Sequence, residues 1–245
     1  MDWFLANFDF ILRLTGLHLF QAVLPILFGV LLAVPVAQLV RLNRTVGGVL
    51  LTVSSILYTI PSLAMFVFLP VVLGTRSISM VNVVVALTIY AFALLIRSTL
   101  DALNSIDDGV RQAAVAMGFT PVRRFFSVDL PLSIPVLIAG VRVISVTNIS
   151  MVSVGALIGV QSLGTLFTDG LFRSFPTEIA VGIILTLLLA LVMDLLLVGL
   201  ERLLTPWARR ATAGAVSAPV PGADAAPAAG SAAAPAAAGT RKAGA

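Results

Sequence analysis

Two ionisable side chains stand where a membrane helix rarely tolerates them: Arg142 inside the apolar stretch 134–160, and Asp194 inside 179–200. At about 1.5 Å per helical residue, Arg142 lies about 10 Å in from Pro135 and Asp194 about 12 Å in from Arg202. Both depths run from the same side, on consecutive spans. A charge at that depth is costly unless paired or facing water, so the expectation is an Arg142–Asp194 ion pair or a shared polar cavity. Separate partners or snorkelling are the alternative. The stretch 134–160 also carries Ser145, Thr147, Asn148, Ser150 and Ser153, and Tyr58, Pro61, Ser62 and Tyr90 lie in neighbouring apolar runs. Together they form a candidate translocation path, in which tyrosine rings suit a quaternary ammonium through cation–π attraction. Ser and Thr in such helices also pack, or bond to their own backbone. This is chemistry of binding and passage, not of bond making. No Ser/His/Asp array, Gly-rich phosphate loop or metal-ligand cluster is visible, so no catalytic residue, metal or cofactor is expected on this chain. The small residues of GALIG (155–159) read as close helix packing rather than a nucleotide cradle.

The residues around these positions are organised by a polar island, Asp101–Pro131, which cannot stay within a bilayer and must sit in water between spans. Asp107 or Asp108 can cap a first short helix with Val110, Ala113, Ala114 and Met117 on one face. Gly118 is placed to end it in a left-handed turn. Thr120 and Pro121 then read as N-cap and first residue of a second helix presenting Val122, Phe125, Phe126 and Leu130, with Pro131 as its stop.

QAAVAMG, nine residues, then VDLP resembles the cytoplasmic EAA loop of ABC importer permeases. Gln112, Ala113, Ala114, Gly118, Leu130 and Pro131 match that pattern. Gln112 replaces its acidic residue, which removes an ion pair with an ATPase arginine, and Val128 replaces its isoleucine. TIPSLAMF (59–66) and LPLSIPVLIAGVR (130–142) are similar to the glycine betaine/choline/carnitine/proline permeases of that superfamily, and the similarity spans residues 15–207. The resemblance implies an all-α type I importer permease in which the loop, with Phe125 and Phe126, couples to an ATPase. It further implies two ATPase subunits holding ATP and Mg, a second permease chain (identical or a paralogue), and an extracytoplasmic solute-binding protein.

Composition agrees with a polytopic membrane protein. Hydrophobic residues make up 59% and charged residues 11% of the 245, against about a quarter charged in soluble domains. The net charge of +4 comes from arginines at the ends of apolar runs, a topogenic pattern rather than a nucleic-acid surface. No cysteine and a single histidine, His18, exclude disulfides, thiol chemistry and a His-built metal site. MDWFLANFDF lacks the basic start of a cleavable signal.

In chain order, residues 1–16 read as an aromatic-rich interfacial segment, 17–207 as the permease domain with its coupling loop at 101–131, and 208–245 as a disordered Ala/Pro-rich cytoplasmic tail. Five transmembrane helices are expected near 17–40, 49–73, 78–96, 134–160 and 179–200, with a glycine-studded loop between the last two. Arg41, Arg44, Arg97, Arg111, Arg123, Arg124, Arg202, Arg209 and Arg210 fall on the island's side; Arg13, Arg76 and Arg173 fall on the other. The positive-inside bias places the N-terminus outside and the C-terminus in the cytoplasm of a multi-pass cell-membrane protein. Methionine or another small solute is the alternative cargo. A helical channel or secondary transporter working without ATP is the alternative class.

Overall fold

A computed structural model describes residues 2–41 and 43–207; the expected tail at 208–245 lies outside them. The described residues are helical throughout, with no strand. A short α1 (Asp2–Ala6) leads into α2 (Phe8–Val40), an unbroken helix of 33 residues. At about 1.5 Å per residue it is about 50 Å long, well beyond the ~30 Å hydrocarbon core. Residues 8–16, expected as part of an interfacial segment, are therefore the first turns of the span helix. Ile11 and Leu14 are buried, and Leu14 packs on Leu163 and Leu166.

The second expected span is broken. α3 (Arg44–Thr59) and α4 (Ser62–Leu73) meet at an angle of 102°. Proline clashes with a helical residue before it, and Ile60 accordingly takes φ −65°, ψ 129° ahead of Pro61. α5 (Met80–Asn104) runs eight residues past the expected Ile96 end and absorbs the start of the polar island. The island's helices are α6 (Asp108–Ala116) and α7 (Pro121–Arg124). Pro131 does not stop the second one. α7 passes through a π-helical turn, Phe125–Asp129, into α8 (Leu130–Val154), and the Leu130 N–H bonds to the Phe125 carbonyl five residues back. The wider turn lets the chain pass a residue with no N–H. After a 3-10 turn at Gly155–Ile158, the loop expected next contains α9 (Gly164–Phe172), and α10 (Pro176–Leu204) closes the chain. Among the described residues, four segments are long and apolar enough to span a membrane, or five with the bent α3–α4 pair counted as one.

α5 is the axis of the bundle, packed by α2, α3, α4 and α8, whereas α10 leans mainly on α8 and α9. Lipid removes the hydrophobic drive between helices, so small residues that let backbones approach carry the packing. Along α2 the buried face is Ala22, Ile26, Gly29, Ala33 and Ala37, a 3.6-residue repeat. A Cβ on Gly29 would come within 2.9 Å of the Ala91 Cβ, so α2 and α5 touch there almost backbone to backbone. In GALIG, a Cβ on Gly155 would meet a Val83 methyl at 3.3 Å, which makes it a packing position, while Gly159 has φ +85° and is a turn residue.

Candidate functional site

The hairpin formed by α6 and α7 is built by local chemistry. The Asp107 carboxylate accepts from the N–H groups of Gly109 (2.7 Å) and Val110 (3.3 Å), satisfying orphan donors of α6. Gly118, at φ +79°, reverses the chain, and the Phe119 N–H closes back on the Ala114 carbonyl at 3.1 Å. Thr120 accepts from the Arg123 N–H at 3.4 Å, and the Arg123 guanidinium lies 4.7 Å from the centre of the Phe119 ring. The pattern residues divide between two surfaces. Ala114 and Phe125 are buried, Phe125 among Ala37, Ile96, Leu100 and Leu103 at the base of the bundle. Leu130 and Pro131 are half-buried, while Gln112, Ala113, Gly118 and Phe126 are exposed. Val115, Met117 and Val122 join Phe126 as exposed apolar side chains. One side of the hairpin is thus fixed to the bundle and the other is unpartnered.

What fixes it is Asp129, fully buried at the centre of three arginines. Arg41 Nη2 donates to Oδ2 at 3.0 Å, and the Nε atoms of Arg111 and Arg124 stand 3.7 and 3.6 Å from its two oxygens. Arg41 also bonds the Leu103 carbonyl at 3.3 Å, and Arg111 donates to the same carbonyl. One carboxylate therefore ties together the end of α2, the end of α5, α6 and the π turn. The sequence reading missed this cluster. Its signal was an acid lying five residues after Arg124 in an Arg-bearing segment, with nothing to say which arginines would reach it.

Within the bundle, Arg142 and Asp194 meet as a bidentate pair, Nε to Oδ1 at 2.7 Å and Nη2 to Oδ2 at 2.9 Å, both side chains about one third exposed. The residues grouped as one translocation path do not share a surface. Tyr90 is buried and donates its hydroxyl to the Ile60 carbonyl at 2.7 Å, a group the α3–α4 break leaves without a helical partner. Ser145 is buried and bonds the Val141 carbonyl at 2.8 Å; Thr147 does likewise with Val143 at 2.9 Å. Asn148 is buried with its Nδ2 unpartnered. Ser150 and Ser153 face a groove of about 340 Å³ between α8 and α10, whose far wall includes Thr186 and Leu187. Tyr58 lies in a different groove, between α3 and α5. Pro61 is exposed and Ser62 half-buried beside the break. Helical phase explains the split: Ser145 and Asn148 lie on one side of the helix, and Ser150 and Ser153 on another.

At the end of the bundle away from the hairpin, His18 is a structural clamp. The Leu163 N–H donates to its Nδ1 (3.3 Å), so the proton sits on Nε2 and is donated to the Ile149 carbonyl (3.0 Å). Gln21 donates to the Gln161 carbonyl at 2.8 Å. These bonds hold the turn before α9 against α2. Among the described residues no cluster of three or more His, Cys, Asp or Glu could hold a metal ion.

Comparison with known proteins gives concordant results. Residues 26–210 match the family described as binding-protein-dependent transport system inner membrane component. The osmoprotectant import permease protein OsmW of Salmonella typhimurium is 31% identical over 208 residues, covering 84% of this chain and 97% of that one. The carnitine transport permease protein OpuCB of Listeria monocytogenes is 32% identical over 210 residues, covering 86% and 95%. Among solved structures, inward-facing MetNI methionine ABC transporter superposes with a TM-score of 0.71 over 82% of this chain and 98% of that one, at 24% identity, a likeness of fold alone.

Proposed function

This chain belongs to the binding-protein-dependent transport system inner membrane components, and from that premise we propose a specific assembly, orientation and cargo for it. It is the membrane-spanning permease subunit of an ABC importer, in a family whose permeases work with ATPase and binding-protein partners. The cargo we propose is a compatible solute of the quaternary ammonium type, glycine betaine, choline or carnitine, or else proline. The names of its relatives support this reading.

The assembly is two permease chains, identical or paralogous, two ATPase subunits that hold ATP and Mg, and an extracytoplasmic solute-binding protein. The exposed face of the hairpin carries the proposal: Val115, Met117, Val122 and Phe126 stand uncovered on an element whose other side is locked to the bundle through Asp129. An unpartnered apolar patch at the watery end of a membrane protein marks a protein–protein contact. Closure of the ATPase dimer on ATP would push this face, and the arginine cluster would carry the displacement into α2, α5 and α8. Such coupling requires contacts that differ between the inward-open and outward-open states. Gln112, exposed beside the patch, would hydrogen-bond the ATPase rather than form an ion pair.

The hairpin faces the cytoplasm and the N-terminus lies outside, as the arginine distribution supports. The chain lacks cysteine, so Val115→Cys provides a single reporter. In intact cells it should resist an impermeant maleimide and react after permeabilisation; labelling from outside would overturn the orientation. In proteoliposomes of the whole complex, glycine betaine uptake should require both ATP and the binding protein. Uptake that persists on an ion gradient without ATP would overturn the coupling.

A further inference from the structure

We infer that the groove between α3 and α5 is a solute subsite, taking the carboxylate of a zwitterionic quaternary ammonium compound at Arg97 and its cationic head at Tyr58. The inference rests on the cargo proposed above and adds the residues that would recognise it.

The groove has a volume of about 200 Å³, and Ser54, Ser55, Tyr58 and Arg97 are its polar walls. Two of these groups, Ser54 and Arg97, have no partner among the described residues. Ser54 is only 3% exposed, yet its hydroxyl has no hydrogen-bond partner, whereas the neighbouring Ser55 hydroxyl is spent on the Leu51 carbonyl at 2.9 Å. An unsatisfied buried hydroxyl is costly and points to a missing partner. Arg97 is exposed on the groove and makes no ion pair or hydrogen bond among the described residues, not even with Asp101 one turn on, whereas the half-buried Arg41, Arg111, Arg124 and Arg142 are all engaged.

Its position makes this unusual. α5 continues from Arg97 to Asn104, about 10 Å at 1.5 Å per residue, and the Leu103 carbonyl belongs to the arginine cluster at the base. Arg97 thus lies on the membrane side of that cluster, where an unpaired charge marks a pathway. Tyr58 closes the other end, 40% exposed and held edge-on to Tyr90 at 6.1 Å between ring centres.

The neighbouring backbone says which medium this side faces. Thr59, Ile60 and Pro61 are exposed at the α3–α4 break. Non-helical backbone at membrane depth survives only against protein or water, so this flank faces a second chain or an aqueous path rather than lipid. α3 and α5 run antiparallel, with Tyr58 beside Tyr90 and therefore Leu51 level with Arg97, seven residues along each helix. Ser54 falls between the two ends. A zwitterion seated there presents its carboxylate to the guanidinium and the Ser54 hydroxyl, and its ammonium to the tyrosine ring. No acid lines the groove, so a solute that is cationic only has the ring alone.

The test is uptake of labelled glycine betaine and choline by proteoliposomes holding the complete transporter, with ATP hydrolysis measured in parallel. Arg97→Gln should lower glycine betaine uptake about tenfold, the loss of one charged hydrogen bond, and leave both choline uptake and hydrolysis within about twofold. Arg97→Lys should restore part of the betaine uptake. Tyr58→Leu should depress both solutes while Tyr58→Phe does not. If Arg97→Gln leaves betaine uptake unchanged, or lowers both solutes alike, the subsite is wrong while the cargo stands. If the native complex carries neither solute, the cargo reading fails and takes the subsite with it.

Discussion

Among the described residues, two salt-bridge systems between distant helices solve opposite problems. At the base, Asp129 is fully buried and faces Arg41, Arg111 and Arg124, whose side chains are 13%, 18% and 20% exposed. In the bundle, Arg142 and Asp194 form one bidentate pair, 35% and 29% exposed. The first joins four segments through one acid, so no single arginine sets its geometry but the acid sets all of it. The second joins two helices through partners of equal standing, each about a third exposed. A many-to-one cluster makes a rigid joint; a one-to-one pair makes a separable one. The joint lies under the hairpin that would receive force, and the separable contact lies between α8 and α10.

Asp129→Ala gives the largest effect. It strands three partly buried cations, and breaking a buried pair by removing one partner costs about 3–5 kcal/mol. Thermal unfolding in detergent should fall accordingly, and amide exchange in α6 should rise more than in α10. A loss below about 1 kcal/mol would mean that the cluster is ornamental and would erase the contrast with Arg142–Asp194.

A double-mutant cycle gives the intermediate effect. Arg142→Leu and Asp194→Leu should each destabilise, and the double variant should recover most of the loss. A coupling energy of about 1–2 kcal/mol fits interhelical polar contacts in membranes. The single changes should cost less than Asp129→Ala, because each stranded group is about a third exposed. Singles as damaging as Asp129→Ala, with no recovery in the double, would show that the two systems are alike.

How much of this could be read from the sequence follows from which interactions are local. The cap at Thr120, a cap at Asp107 or Asp108, the reversal at Gly118 and the outline of the spans depend on neighbours in the chain and were legible; the structure selects Asp107. The Arg142–Asp194 expectation used only depth along two helices. The Asp129 cluster was not legible, because Arg41 lies 88 residues away and four helices had to be assembled first. Pro131 misled for a related reason: a proline stops an α-helix, but a π turn just before it provides a way through that no propensity records. The path residues were grouped by polarity, whereas helical phase turns Ser145 and Asn148 to a different side of α8 from Ser150 and Ser153. Tyr90 was grouped with them, and its hydroxyl is consumed by the Ile60 carbonyl.

The smallest effect on stability tests what the joint is for. Phe125 and Phe126 are adjacent, their rings 5.1 Å apart, yet Phe125 is 7% exposed within the base and Phe126 63% exposed on the free face. Phe126→Ala should shift unfolding by no more than about 0.5 kcal/mol, as an exposed site far from caps and core does. If the exposed face is where the ATPase docks, the same change should remove an aromatic anchor, with a loss above about 1 kcal/mol in subunit association. ATP-dependent uptake would fall while the permease itself stays folded. The separation of these two readouts distinguishes a joint that transmits from one that merely holds the fold. A rigid base with no partner on its outer side would leave both readouts unmoved by Phe126→Ala, and the arginine cluster would then have nothing to relay.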